Sequence, residues 1–168
     1  MLASGDLLRA SLGETDRIGN AGRKIRTHGD LHLGQMLVQG DDIRILDFEG
    51  EPGRPLEAAR VKQSPLRDAA GMLRSFHYAA HVVRREEGRG FAESQAMTLG
   101  KAFLLEYWNA VDGSGLLPDH PADRHKILNV FLLEKAVYEL QYEWNNRPDW
   151  AIIPLCGLLS IGSDSRNH

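Results

Sequence analysis

The chain has 168 residues, with 20 lysines and arginines against 23 aspartates and glutamates, for a net charge of -3. That length suits one domain with a sizeable core, and 42 % hydrophobic with 26 % charged residues is the balance of a globular chain rather than a disordered or fibrous one. Weak net acidity speaks against a nucleic-acid partner and against a polybasic membrane contact.

At the N-terminal end, Leu7, Leu8 and Leu12 predict a short lead-in helix, and a glycine-containing polar stretch carries the chain as a loop to Lys24. No basic region followed by an apolar run marks a secretory signal there. From Ile25 to Phe48 the pattern changes. A polar segment, residues 28–34, precedes Met36-Leu37-Val38, then Gly40-Asp41-Asp42, then Ile43-Arg44-Ile45-Leu46. Two β-capable runs about a Gly-Asp-Asp turn predict a hairpin. Pro52 and Pro55 place a loop after it.

The rest reads as helical. Ser64 and Pro65 form an N-cap and first-position pair, and Leu66, Ala69, Leu73, Phe76, Ala80 and Val83 recur at spacings of three and four, which predicts a helix of about 20 residues. Gly88 and Gly90 end it. A second helix is expected over 97–111, with Phe103, Leu104, Tyr107 and Trp108, and residues 112–118 break it. A third is expected over 122–146, ended by Asn145-Asn146-Arg147-Pro148, with a short apolar element at 152–161. The longest apolar stretch, 151–162, is interrupted by Pro154 and is shorter than the roughly 18 to 20 residues that span a bilayer. Cys156 is the only cysteine, so no internal disulfide forms, and a cytoplasmic location is expected.

Two carboxylates carry the chemistry. Asp30 precedes the hairpin in a glycine-flanked loop, and Asp47 follows its second strand, so the returning chain brings them toward one region. Gln35 lies between them in sequence. Two carboxylates and an amide oxygen are hard donors of the kind Mg²⁺ takes alongside phosphates, and phosphoryl transfer to an alcohol needs one carboxylate as base with other oxygens holding metal on the nucleotide. Taken alone, Asp30 and Asp47 also fit ordinary turn and strand-end positions.

The string His28-Gly29-Asp30-Leu31-His32-Leu33-Gly34-Gln35 resembles the catalytic loop of the aminoglycoside phosphotransferase and choline kinase superfamily, and Asp47-Phe48-Glu49 is similar to the Asp-Phe-Gly of protein kinases. Together with Asp47-Phe-Glu-Gly-Glu-Pro52, residues 64–76 and the run from Glu134 through Tyr142 to Trp150, the chain resembles maltokinases, including those fused to trehalose synthase. The resemblance covers about 23–160 and implies a mostly helical C-terminal lobe of a protein-kinase-like α+β fold. It divides the chain into a lead-in at 1–24 and a lobe at 25–168. It implies that Asp30 is the base, that Gln35 and Asp47 hold Mg²⁺, and that Glu49 stands beside metal and ATP phosphates. It also implies that His28 and His32 support the loop, and that Lys135, Tyr138 and Tyr142 bind maltose from one helical face. The expected activity is ATP-dependent phosphorylation of maltose. No β-rich segment with a phosphate-binding lysine precedes the loop, so the expectation is half of a two-lobed enzyme, with an N-lobe or a trehalose synthase as a partner.

Four other readings bear on the same residues. His28 and His32 have the four-residue spacing of a helical zinc motif, but glycine follows His28 and the segment is a loop. A two-metal phosphoesterase needs further ligands downstream that are missing; Asn167 and His168 do not supply them. Another small-molecule hydroxyl kinase, or a catalytically silent lobe binding a sugar or a partner, remains open.

Overall fold

A computed structural model of the chain describes residues 18–48, 61–88 and 92–164, and Gly13 besides. Leu7, Leu8 and Leu12 of the expected lead-in helix, together with Glu49, Pro52, Pro55, Asn167 and His168, lie outside these residues.

Strands β1 (Met36–Gln39) and β2 (Asp42–Ile45) pair antiparallel, Met36 opposite Ile45 and Gln39 opposite Asp42. Gly40 makes the turn with φ 63°, a left-handed conformation that costs glycine nothing in steric terms. The ladder continues outward, Leu46 N–H donating to the Gln35 carbonyl at 2.9 Å, so Gln35 and Asp47 meet at the open end of the hairpin.

Helix α1 (Leu66–Glu87) begins one residue later than the Ser64-Pro65 pair suggests: Pro65 flanks the first turn, and Ser64 Oγ accepts from Leu66 N–H at 3.4 Å. It ends at Gly88, left-handed at φ 68°, whose N–H returns to the Arg84 carbonyl, a common way of satisfying a helix end. Helix α2 (Ala92–Val111) starts well before the expected Met97, because its first turns include Ser94 and Gln95 and carry no apolar stripe for periodicity to detect. Helix α3 (Pro121–Asn146) is capped by His120, whose Nδ1 accepts from Ala122 N–H at 3.2 Å. After a 3-10 turn at Pro148–Trp150 comes α4 (Ile152–Asp164). Pro154 sits in its first turn, where a missing N–H costs no intrahelical bond.

Helix α1 lies between α2 and α3. Ala69, Ala70 and Leu128 are buried where these three meet, with Leu73, Phe103, Leu104 and Phe131 packed around them. Small residues on α1 let the aromatic and leucine side chains of its neighbours fill the space. Leu66, Leu117 and Ile127 make a second centre, which Ile18 joins, so residues just ahead of the loop belong to the same body. Leu133, Ala136 and Leu158 seat α4 on α3.

Two buried charges tie the helices. Arg74 of α1, 3 % exposed, donates twice to Glu139 Oε2 of α3 at 2.6 and 3.1 Å. A Cβ on Gly157 of α4 would run into the Arg74 guanidinium, so any larger residue there would have to displace the Arg74–Glu139 pair. Glu143 is as deeply buried and accepts from Tyr78 Oη at 2.8 Å and from Arg147 Nε and Nη2 at 2.9 and 2.6 Å. A buried carboxylate needs that saturation, because its desolvation is costly when any oxygen is left unmet.

The observed architecture is a helical body with one two-stranded hairpin. It does not by itself carry the protein-kinase-like class expected from sequence, since a hairpin and packed antiparallel helices are parts that many folds share. No helix among the described residues is long and apolar enough to cross a membrane.

Burial, with the Asp68 carboxylate second, pushes the Tyr107 hydroxyl up from its ordinary 10.0 to about 12. A group whose folded pKa is raised contributes stability that is complete below the unfolded value and is lost as pH rises through the folded one. The urea midpoint is therefore expected to fall between pH 10 and about 12, and to fall less in Tyr107→Phe. An equal alkaline fall in both proteins would contradict this.

Candidate active site

The loop bearing Asp30 has no regular structure, so its shape depends on what holds its backbone. An isolated antiparallel bridge between Ile25 and Gln63, with N···O distances of 2.8 and 2.9 Å, brings it beside the start of α1. There Asp68, in the first turn, accepts from His28 N–H through Oδ2 at 2.8 Å and from Gly29 N–H through Oδ1 at 2.9 Å. Gly29 adopts φ 85°, a left-handed turn that presents these successive amides to one carboxylate.

His28 fastens the loop to the hairpin. Its ring is buried, Nε2 lies 2.6 Å from the Leu46 carbonyl oxygen, and Nδ1 is 3.3 Å from Asp30 N. A carbonyl only accepts and an amide N–H only donates, so these bonds require the Nε2–H tautomer. The Phe48 ring packs on the imidazole at a centroid distance of 5.0 Å. Further along, Ser75 Oγ accepts from Leu33 N–H at 3.0 Å. The Leu31 carbonyl lies against Gly71 so closely that a Cβ there would stand 2.5 Å from its oxygen.

Asp30 thus faces α3. Lys135 Nζ donates to Asp30 Oδ1 at 2.7 Å across 105 positions of sequence, both side chains being largely shielded from solvent. Asp30 Oδ2 lies 4.0 Å from His32 Nε2, beyond hydrogen-bond distance. His32 Nδ1 accepts from Gly34 N–H at 3.0 Å and caps the short turn at Leu33–Gln35. The lysine ammonium also sits 4.9 Å from the centre of the Tyr138 ring, a cation–π distance. Asp30, Lys135 and Tyr138 line one cleft together with Gly29, Leu31, Gly71, Arg67, Phe131 and Glu134.

Gln35 and Asp47 form a separate pair at the foot of the hairpin, Gln35 Nε2 donating to Asp47 Oδ2 at 2.9 Å. Asp47 is left-handed at φ 57°, a region that aspartate enters more readily than most residues. The donor set fits a hard cation: turning the Gln35 amide by half a rotation brings its oxygen beside the carboxylate. The described residues contain no group of three or more His, Cys, Asp or Glu that could hold a metal. The pair offers the one or two protein oxygens that Mg²⁺ takes when it is delivered on phosphates.

The residues singled out in the sequence thus fall into three places. Asp30, Lys135 and Tyr138 share the cleft, while His28 and His32 support the loop behind and beside it. Gln35 and Asp47 pair at the hairpin foot. Tyr142 lies on the same side of α3 but is half exposed, its ring 6.0 Å from the Arg147 guanidinium, and it does not line the cleft. Glu49 is outside the described residues. From sequence, Asp68, like Arg67 and Arg74, is expected only to pair with neighbours or with the loop and is given no chemistry; the structure shows it pairing with the loop. Gly71 is not singled out by sequence, although an isolated glycine inside a helix does signal a close approach.

No family model matches the chain. It is 31 % identical over 168 residues to the glucosamine kinase of Mycolicibacterium smegmatis, a match covering 94 % of this chain and 41 % of that protein. A glucosamine kinase of Streptacidiphilus jiangxiensis is 27 % identical over 143 residues, covering 82 % of this chain and 31 % of the relative. Among solved structures, a glucosamine kinase in complex with glucosamine, ADP and inorganic phosphate superposes with a TM-score of 0.75 at 21 % identity, over 98 % of this chain and 43 % of that one. Crystal form A of a glucosamine kinase reaches 0.77 at 22 % identity, over 98 % of this chain and 42 % of that one. The chain spans less than half the length of these relatives.

These findings correct two expectations. The resemblance to maltokinases gives way to similarity with glucosamine kinases, and maltose as acceptor and trehalose synthase as partner fall with it. The aminoglycoside phosphotransferase-like fold class is likewise replaced by likeness to the glucosamine kinase structures. The physical reason is that a string such as His28 to Gln35 is short, while the groups around Asp30 come from distant positions such as Asp68 and Lys135.

Asp68 offers one oxygen to each of two amides, and an asparagine has only one to offer. Asp68→Asn is expected to lose about 1–3 kcal/mol of stability and to speed hydrogen exchange at the His28 and Gly29 amides, measured by NMR. Unchanged exchange at both would contradict the clamp.

Proposed function

We propose that the chain is the acceptor-binding and base-bearing part of an ATP-dependent sugar kinase whose acceptor is an amino sugar of the glucosamine type. The observation that carries this reading is the convergence of Asp30, Lys135 and Tyr138 on one cleft. Support comes from the names of the relatives, and from a structural neighbour that holds glucosamine, ADP and inorganic phosphate. A cytoplasmic location follows from the use of ATP.

In this mechanism the acceptor hydroxyl oxygen attacks the γ-phosphorus of ATP, the bond to the β-phosphate oxygen breaks, and ADP leaves. The hydroxyl proton passes to Asp30. Lys135 occupies Oδ1 and fixes the carboxylate plane, so Oδ2 is the oxygen turned to the proton. The Tyr138 ring offers a flat apolar face to the sugar's C–H surface, and His28 with Asp68 keeps the base from moving as charge shifts. Gln35 and Asp47 would hold Mg²⁺, which neutralises charge on the transferring phosphates when bound. Glu49 is assigned beside those phosphates by its place after Asp47-Phe48. Tyr142 is an outer sugar contact, one turn beyond Tyr138. Residues 1–24 act as a lead-in to this lobe, and the remaining part of the nucleotide site belongs to polypeptide beyond the matched region.

The test is a chimaera in which the matched 41 % of the Mycolicibacterium smegmatis protein is replaced by this chain. It is expected to phosphorylate glucosamine from ATP, and Asp30→Asn within it is expected to lower kcat by roughly 10²–10⁴. A folded chimaera that transfers no phosphate to amino sugars, or an Asp30→Asn variant at full rate, would contradict the proposal.

A further inference from the structure

Four charged side chains line the cleft, as two ion pairs: Asp30 with Lys135, and Glu134 with Arg67, whose Nη1 lies 2.7 Å from Glu134 Oε1. The pairs are unequal in exposure. Side-chain exposure is 15 % for Asp30, 18 % for Lys135 and 13 % for Arg67, but 51 % for Glu134. Each cation is therefore withdrawn, and the charge that a ligand meets on entering is the Glu134 carboxylate. Arg67 engages one of its oxygens and holds the side chain at the cleft wall. Tethered in this way, a carboxylate loses little further freedom when a ligand arrives.

From this asymmetry we infer that Glu134 is the specificity-determining residue that recognises the ammonium group of the acceptor. The inference rests on the cleft being the acceptor site. An ammonium donates charge-assisted hydrogen bonds to a carboxylate, which are stronger than those a sugar hydroxyl makes in the same place. A neutral hexose gains only the weaker bond, and an N-acetylated one brings bulk without charge. Neighbouring Lys135 keeps Asp30 occupied, so the amine is not drawn to the base, and the two carboxylates take separate tasks: one reads the amine, the other faces the hydroxyl.

The test is an NMR titration of the 168-residue chain with glucosamine, glucose and N-acetylglucosamine. The wild type is expected to bind glucosamine about tenfold or more tighter than glucose. Glu134→Gln keeps an acceptor oxygen for Arg67 but loses the charge; it is expected to bind both sugars with the affinity the wild type shows for glucose. Glu134→Asp, which retains the charge, is expected to keep a preference for glucosamine. A purely structural role would weaken both sugars alike and leave their ratio unchanged, overturning the inference. Retained wild-type discrimination in Glu134→Gln overturns it too, while leaving the acceptor site intact. A wild-type chain that binds none of the sugars overturns the acceptor reading of the cleft and this assignment together.

Discussion

The candidate base sits in a stretch of chain that cannot hold its own shape, and one carboxylate supplies what the backbone lacks. Asp68 takes the N–H groups of His28 and Gly29 on its two oxygens, fixing the loop to the first turn of α1. From there each contact constrains the next. His28, held at its backbone, can reach the Leu46 carbonyl with Nε2, so the loop and the end of β2 move as one. Leu31 lies flat on Gly71, and Asp30 is left facing Lys135. Between the Ile25–Gln63 bridge and the turn at Leu33–Gln35 these contacts hold the loop together.

The helical body meets this loop from the other side. Lys135 and Glu134 are adjacent on α3, and their positions depend on how α3 is seated against α1 and α4. Apolar packing at Ala69, Leu128 and Leu133 fixes the spacing. The Arg74–Glu139 pair and the saturated Glu143 add direction, since each must keep its partners to offset the cost of burial. Glu139 and Glu143 lie about one and two turns along α3 from Lys135 and are turned into the helical body, while Glu134 remains half exposed at the cleft.

Much of the scaffold is legible in the sequence because it is local. The hairpin turn at Gly40, the spacing along α1 and the break after Val111 follow from residue types within a few positions of one another. The early start of α2 is not legible, since polar turns in solvent leave no period. The Asp30 loop stands out as a string, but the string resembles maltokinases while the chain is similar to glucosamine kinases: a short string marks where a carboxylate stands, whereas the groups around it, Asp68 and Lys135 among them, come from distant positions. Arg67, Phe131 and Glu134 meet Asp30 only through tertiary packing, and for Asp68 the sequence offers pairing with neighbours or with the loop but not which amides it takes. Gly71 and Gly157 left a readable trace as glycines inside helices, without saying what approaches them.

In the proposed function the cleft between the Asp30 loop and α3 holds an amino-sugar acceptor with a hydroxyl presented to Asp30. A crystal structure of this chain grown with glucosamine addresses it most directly. Sugar density is expected against Tyr138, with one hydroxyl oxygen within about 2.6–3.2 Å of Asp30 Oδ2 and the Lys135 contact to Oδ1 retained. Glucosamine bound elsewhere on the chain, or lying in the cleft with no hydroxyl near Asp30, would contradict it.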